Sequence, residues 1–106
     1  MTTEKNSIVQ DSVICSDFPL FNLGSVVATH GAIDLLKQHK VDAEPMLWRH
    51  QHGDFGTVCL EDVQANLEAI KYGSRVLSAY LVGDQQMWII TEADRSSTTF
   101  LLPSEY

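Results

Sequence analysis

From residue 29 onward the spacing of apolar positions changes period twice. In "THGAIDLLKQHK", Ala32, Leu35, Leu36 and His39 recur at i, i+3, i+4 and i+7, the repeat of one face of an α-helix. Thr29 stands before that run as an N-cap, and basic residues close it, as the negative end of a helix favours. A second helix is expected over about 43–50, capped by Asp42, with Pro45 in the first turn, where its missing N–H costs little. Gly53 and Gly56 bracket Asp54 and Phe55 and mark a loop, because glycine permits backbone angles that other residues resist. Val63, Leu67 and Ile70 then share one side of a third helix, with Glu61 and Asp62 at its positive end and Lys71 and Gly73 at its close.

After "KYG" the period shortens. "RVLSAYLV", "QMWIIT" and "STTFLL" are short runs of strand-forming residues separated by "GDQ" and "EADRS", which reads as two hairpins. Upstream, "LFNLGSVVAT" suits a further short strand. The pattern predicts an α+β domain: about three helices packed on one face of a C-terminal antiparallel sheet of three to four strands, the fourth being the segment around Val26. At 106 residues and 44% hydrophobic composition the chain supports one core. Residues 18–106 are expected to build it, and residues 1–17 to form a flexible N-terminal arm.

Charge narrows the class of partner. The net charge of −7 repels phosphate at long range, so any contact with RNA or an anionic membrane would have to be local. No run approaches the roughly 20 apolar residues that span a bilayer, and Cys15 and Cys59 form no C-x-x-C pair, so a reduced cytoplasm is the expected setting. Cys59 is expected to be a small buried side chain and Trp48 and Trp88 core anchors.

Two stretches carry a family likeness. "RHQHGDFG" and "WIITEADRSSTTFLLPSEY", with "EDVQANLEAIKYGSRVLSAY" between them, resemble a family of small uncharacterised bacterial proteins often carried by plasmids and other mobile elements. The likeness spans residues 19–106. In that family the loop reads R-H-x-x-G-D-W-G, so Arg49, His50, Gly53, Asp54 and Gly56 fit, Phe55 replaces a tryptophan, and His52 falls on a variable position. The resemblance implies kinship and brings no established activity with it. Helices followed by an antiparallel meander are also similar, in order and residue types alone, to the barnase, EndoU, colicin and RelE-like ribonucleases.

His50, His52 and Asp54 spell H-x-H-x-D, side chains of the kinds that bind zinc or iron, with His30, His39 and Cys59 as further donors. Histidines two apart diverge on a helix, so no metal and no cofactor is expected. Cys59 precedes a helix, whose positive end could activate a thiol, but no base is placed beside it by sequence. All three arginines, Arg49, Arg75 and Arg95, lie in the stretches with the family likeness, and a guanidinium is a planar fork for carboxylate or phosphate. Two readings follow. In the first, the chain is an accessory factor of mobile elements that binds another macromolecule, most simply a protein, through Arg49, Asp54, Phe55, Thr98 and Thr99. In the second, it cleaves RNA without metal, His50 acting as acid or base with Glu92 beside it and Arg75 and Arg95 stabilising the phosphorane. Alternatively, the same residues are structural: Asp54 caps a turn, and Arg75 and Arg95 pair with Glu92, Asp94 or Asp62.

Overall fold

The computed structural model describes residues 16–106; residues 1–15, with Cys15 and most of the segment expected to be a flexible arm, lie outside the described residues. Strand β1 (Ser25–Ala28) leads into helices α1 (His30–His39), α2 (Glu44–Gln51) and α3 (Leu60–Tyr72). Strands β2 (Val76–Val82), β3 (Gln85–Thr91) and β4 (Ser97–Leu101) follow, and a short 3-10 turn covers Pro103–Glu105. The expected α+β class is present.

The sheet order is β1-β4-β3-β2. Both hairpins are antiparallel, while β1 runs parallel to β4, with Val26 opposite Thr98 and Ala28 opposite Phe100. The sheet is therefore mixed rather than wholly antiparallel. The parallel pair is fixed at both ends: the Ser25 N–H donates to the Ser96 carbonyl (3.0 Å) and the Thr29 N–H to the Phe100 carbonyl (3.0 Å). Gly24, at φ 66°, lies against the Ser96 backbone, where a side chain would collide with the Ser96 carbonyl oxygen.

Alternation along the strands sorts the core. Val76, Ser78, Tyr80 and Val82 on β2 and Met87, Ile89 and Thr91 on β3 point to the helix side and are buried. Of these, Tyr80, Val82, Met87 and Ile89 meet Ala32 and Leu35 of α1, Met46 of α2 and Phe100 in one cluster. Phe21, Phe55, Ala69 and Val76 form a second. Burial of each such large side chain stabilises the fold by about 1.5–3 kcal/mol.

Helix ends follow the sequence with one exception. The Thr29 hydroxyl accepts from the Ala32 N–H (3.2 Å) and Gly73 closes α3 at φ 84°. The second helix is capped by Ala43, without a side-chain bond, in place of Asp42. A further contact was not foreseen: the Glu105 carboxylate accepts from the Thr29 hydroxyl (2.5 Å), the Gly31 N–H (3.2 Å) and the Leu102 N–H (2.8 Å). These bonds hold Glu105 below the usual carboxylate range and tie the 3-10 turn to the start of α1.

Helix α3 stands along the outer edge of β2 rather than flat on the helix side. The Asn66 amide donates to the Leu77 carbonyl (2.6 Å) and accepts from the Leu77 N–H (3.0 Å), imitating a neighbouring strand. Two residues on, the Ala79 N–H donates to the Phe55 carbonyl (3.0 Å) and the Thr57 N–H to the Ala79 carbonyl (2.7 Å). A side chain plus a strand-like loop thus cover an edge that would otherwise present unpaired backbone groups.

Candidate binding site

"RHQHGDFG" is the last turn of α2 and the loop that pairs with β2. His50 falls on the same helical side as Met46 and is fully buried, at 0% exposure. Its Nδ1 lies 2.6 Å from the Ser78 hydroxyl and its Nε2 2.9 Å from the Thr91 hydroxyl. Thr91 in turn lies 2.7 Å from the Thr98 hydroxyl, which donates to the Leu23 carbonyl (2.7 Å). The direction of this chain follows from its last acceptor. Leu23 takes the proton of Thr98, so Thr98 accepts from Thr91 and Thr91 accepts from His50. The proton therefore sits on Nε2, and Nδ1 accepts from Ser78. Burial, together with the positive charge of Arg95, lowers the His50 pKa to about 3. Phe21 closes the site edge-on, 5.1 Å between ring centroids.

The neighbouring residues are also engaged by the protein itself. Arg49 forms a two-point pair with Asp54 (Nε to Oδ2 2.8 Å, Nη2 to Oδ1 3.2 Å) and lies 4.6 Å over the Tyr80 ring. The Tyr80 hydroxyl donates to the Asp54 carbonyl (2.6 Å), and its burial raises its pKa. Phe55 is 1% exposed, in the core. Gly56 has φ 76°, and any side chain there would strike the Ala79 carbonyl. The His52 ring stacks on Trp48 (3.9 Å, 11° between planes), its Nδ1 2.7 Å from the Trp48 carbonyl. Among the described residues no group of three His, Cys, Asp or Glu side chains is placed to hold a metal.

Arg95 is a clamp. From a left-handed backbone (φ 60°) its Nη1 donates to the Ser74 carbonyl (2.6 Å) and the Glu92 carbonyl (3.0 Å), and its Nη2 to the Ala69 carbonyl (2.9 Å). These oxygens include one at the negative end of α3, where a cation is favoured. The expected pairing of Arg95 with Glu92 or Asp94 carboxylates is replaced by bonds to carbonyls, and Glu92 takes part through its backbone. Asp94 accepts from the Ser96 N–H (3.0 Å), and its bonds to Ser96 keep it below the usual range.

Of the residues singled out in the sequence, His50, Thr98, Phe55 and Arg95 gather on the helix side of the sheet. Arg75 is separate. It lines a cleft of about 320 Å³ with Leu77, Trp88 and Ile90, which alternate with the inward residues of β2 and β3 and so face the other side. Thr99, paired with Ile90 and Val27, shares that outer side. Asp62, Ala65 and Asn66 of α3 form one wall and Tyr106 lies at the rim. A second hollow of about 190 Å³ shares Asp62, Leu77 and Trp88 with the first and continues to Thr57 and Cys59. Cys59 is exposed there, not buried as expected. Trp88 is half-buried on this face, its ring 5.7 Å from that of Tyr106. Trp48 is 53% exposed on the far side of α2, so neither tryptophan is a central core anchor.

The outer cleft was missed by motif reading, which looks for polar constellations. Its signal was in the alternation: the outward positions of β2 and β3 include Leu77, Ala79, Leu81, Trp88 and Ile90, where a solvent-facing strand side is normally polar. Leu81 is 60% exposed. Among the described residues no helix is long and apolar enough to cross a membrane. Comparison of the chain with protein-family models, with curated proteins and with solved structures finds no match.

Proposed function

We propose that this domain acts by binding another macromolecule, a protein, through the outer side of its sheet, and that it serves as an accessory factor of bacterial mobile elements. The observation that carries the binding reading is the apolar outer side of β2 and β3, where Leu81 is exposed and Leu77 and Trp88 are half-buried beside the buried Ala79 and Ile90, with Arg75 and one wall from α3 bounding the cleft. Apolar side chains left partly open to solvent on a strand face that is normally polar mark contact sites. The setting in mobile elements rests on the likeness of "RHQHGDFG" and the C-terminal stretch to that family. The motif residues of the loop serve the scaffold here: Arg49 holds Asp54, His50 bridges two strands and Gly56 admits the β2 edge.

A protein partner fits better than RNA. The net charge is −7, and Arg49 and Arg95 are engaged by Asp54 and by backbone carbonyls. The alternative, a metal-independent ribonuclease-like enzyme using His50 with Arg75 and Arg95, gains no support from a buried His50 with both ring nitrogens bonded and Arg75 across the sheet. Leu81→Asp and Arg75→Glu alter exposed positions and are expected to change stability by no more than about 1 kcal/mol. Each should remove the complex that the tagged wild-type chain forms in its native host, followed by size-exclusion chromatography of the extract. Complexes that survive both substitutions would contradict the proposal.

A further inference from the structure

We infer that the cleft between Arg75 and Asp62 receives the C-terminal residue of the partner protein: a large apolar side chain on a residue that also carries a free carboxylate. The inference rests on the outer side of the sheet being the contact surface, and it specifies what that surface selects.

Charge complementarity carries it. Among the described residues the guanidinium of Arg75 makes no hydrogen bond or ion pair, facing only the Tyr106 ring at 5.7 Å. It is an exposed cation beside an apolar floor of Leu77, Ile90 and Trp88. A carboxylate can meet such a fork with two parallel bonds. Asp62 lines both hollows and adds an acceptor to the same wall, suited to a backbone N–H. An acceptor, a cation and an apolar floor complement the N–H, carboxylate and side chain of a single terminal residue. The volume of about 320 Å³ lies at the small end of ligand cavities, which suits one anchoring residue. Tyr106 at the rim, edge-on to Trp88 and beneath Arg75, adds a second aromatic ring to the walls against which a large apolar side chain would pack. The net charge of −7 disfavours a partner presenting many anionic groups.

The test is a nuclear magnetic resonance titration of the whole chain with N-acetylphenylalanine and, separately, with N-acetylphenylalaninamide, which lacks the carboxylate. The acid should shift the Trp88 indole N–H and the Leu77 and Ile90 methyls. The amide should bind about tenfold more weakly or worse, the scale of a lost charge-assisted hydrogen bond. Arg75→Gln, with an otherwise unchanged spectrum to establish folding, should bring the acid down to the affinity of the amide, and Arg75→Lys should restore part of the difference. Acid and amide binding equally at Trp88 would overturn the carboxylate assignment while supporting the outer side as a contact surface. Shifts confined to the hollow around Trp48 and Leu23, or none up to the solubility of the acid, would overturn both.

Discussion

A buried histidine held between two hydroxyls behaves unlike one in water. His50 is neutral in the fold, with the Nε2 proton fixed by the Thr91–Thr98–Leu23 relay. Its folded pKa of about 3 lies below the ordinary value of 6.5, so below pH 6.5 the unfolded chain binds a proton that the native chain refuses. The contribution of His50 is therefore complete above pH 6.5. It is lost as the pH falls toward 3, at up to about 1.4 kcal/mol per pH unit. Glu105 and Asp94, both lowered, add losses only in the more acidic carboxylate range. Denaturant unfolding between pH 7 and 4.5 should show this slope. The His50 ring should stay untitrated over the same interval, with a protonated Nε2 in nitrogen-15 spectra; a ring titrating near 6.5 would refute the account of the site. Arg95→Ala removes three bonds to carbonyls and is expected to lower stability by about 2 kcal/mol, read from the shift of the urea midpoint. That His50 points inward was legible from its spacing to Met46. That Arg95 grips carbonyls was not, because the geometry depends on a left-handed backbone at its own position and on where α3 ends.

Elements were legible where period and punctuation agree. Thr29, Gly73 and the two hairpin turns mark their boundaries in the sequence, and three helices and the C-terminal strands follow. The parallel partner of β4 was not legible, because a strand of four residues carries no sign of the direction of its neighbour. Nor was Asn66, which sits among the helical positions of α3 and looks like solvent-facing polarity until β2 is placed beside it. Asn66→Ala leaves the N–H and carbonyl of Leu77 without their partner and should cost about 1–3 kcal/mol, with faster amide exchange at Leu77. Asn66→Asp sets a buried carboxylate oxygen against the Leu77 carbonyl and is expected to cost at least as much as alanine. Unchanged exchange at Leu77 in the alanine variant would mean that the side chain does not hold the edge.

At the scale of the molecule the two sides of the sheet have different work. One buries His50, Phe55 and Thr98 under helices, and the motif most suggestive of chemistry is spent there on joining α2 to β2 and β3. The other leaves Leu77 and Trp88 half-buried in a cleft beside the exposed Arg75, and Leu81 exposed near the far end of β2. The sequence carried both patterns, but the polar cluster drew attention as a motif and the apolar alternation did not, since apolar strand residues are usually core. The central claim is that the outer side is where this protein meets its partner. Its most direct measurement is photocrosslinking in the native host from a benzoylphenylalanine placed at Gln86, exposed beside the cleft, against the same label at Gln38, exposed on α1. A discrete protein adduct from position 86 that is lost with Arg75→Glu, and no adduct from position 38, is the predicted result. Adducts from position 38 alone, or from position 86 unaffected by Arg75→Glu, would contradict it.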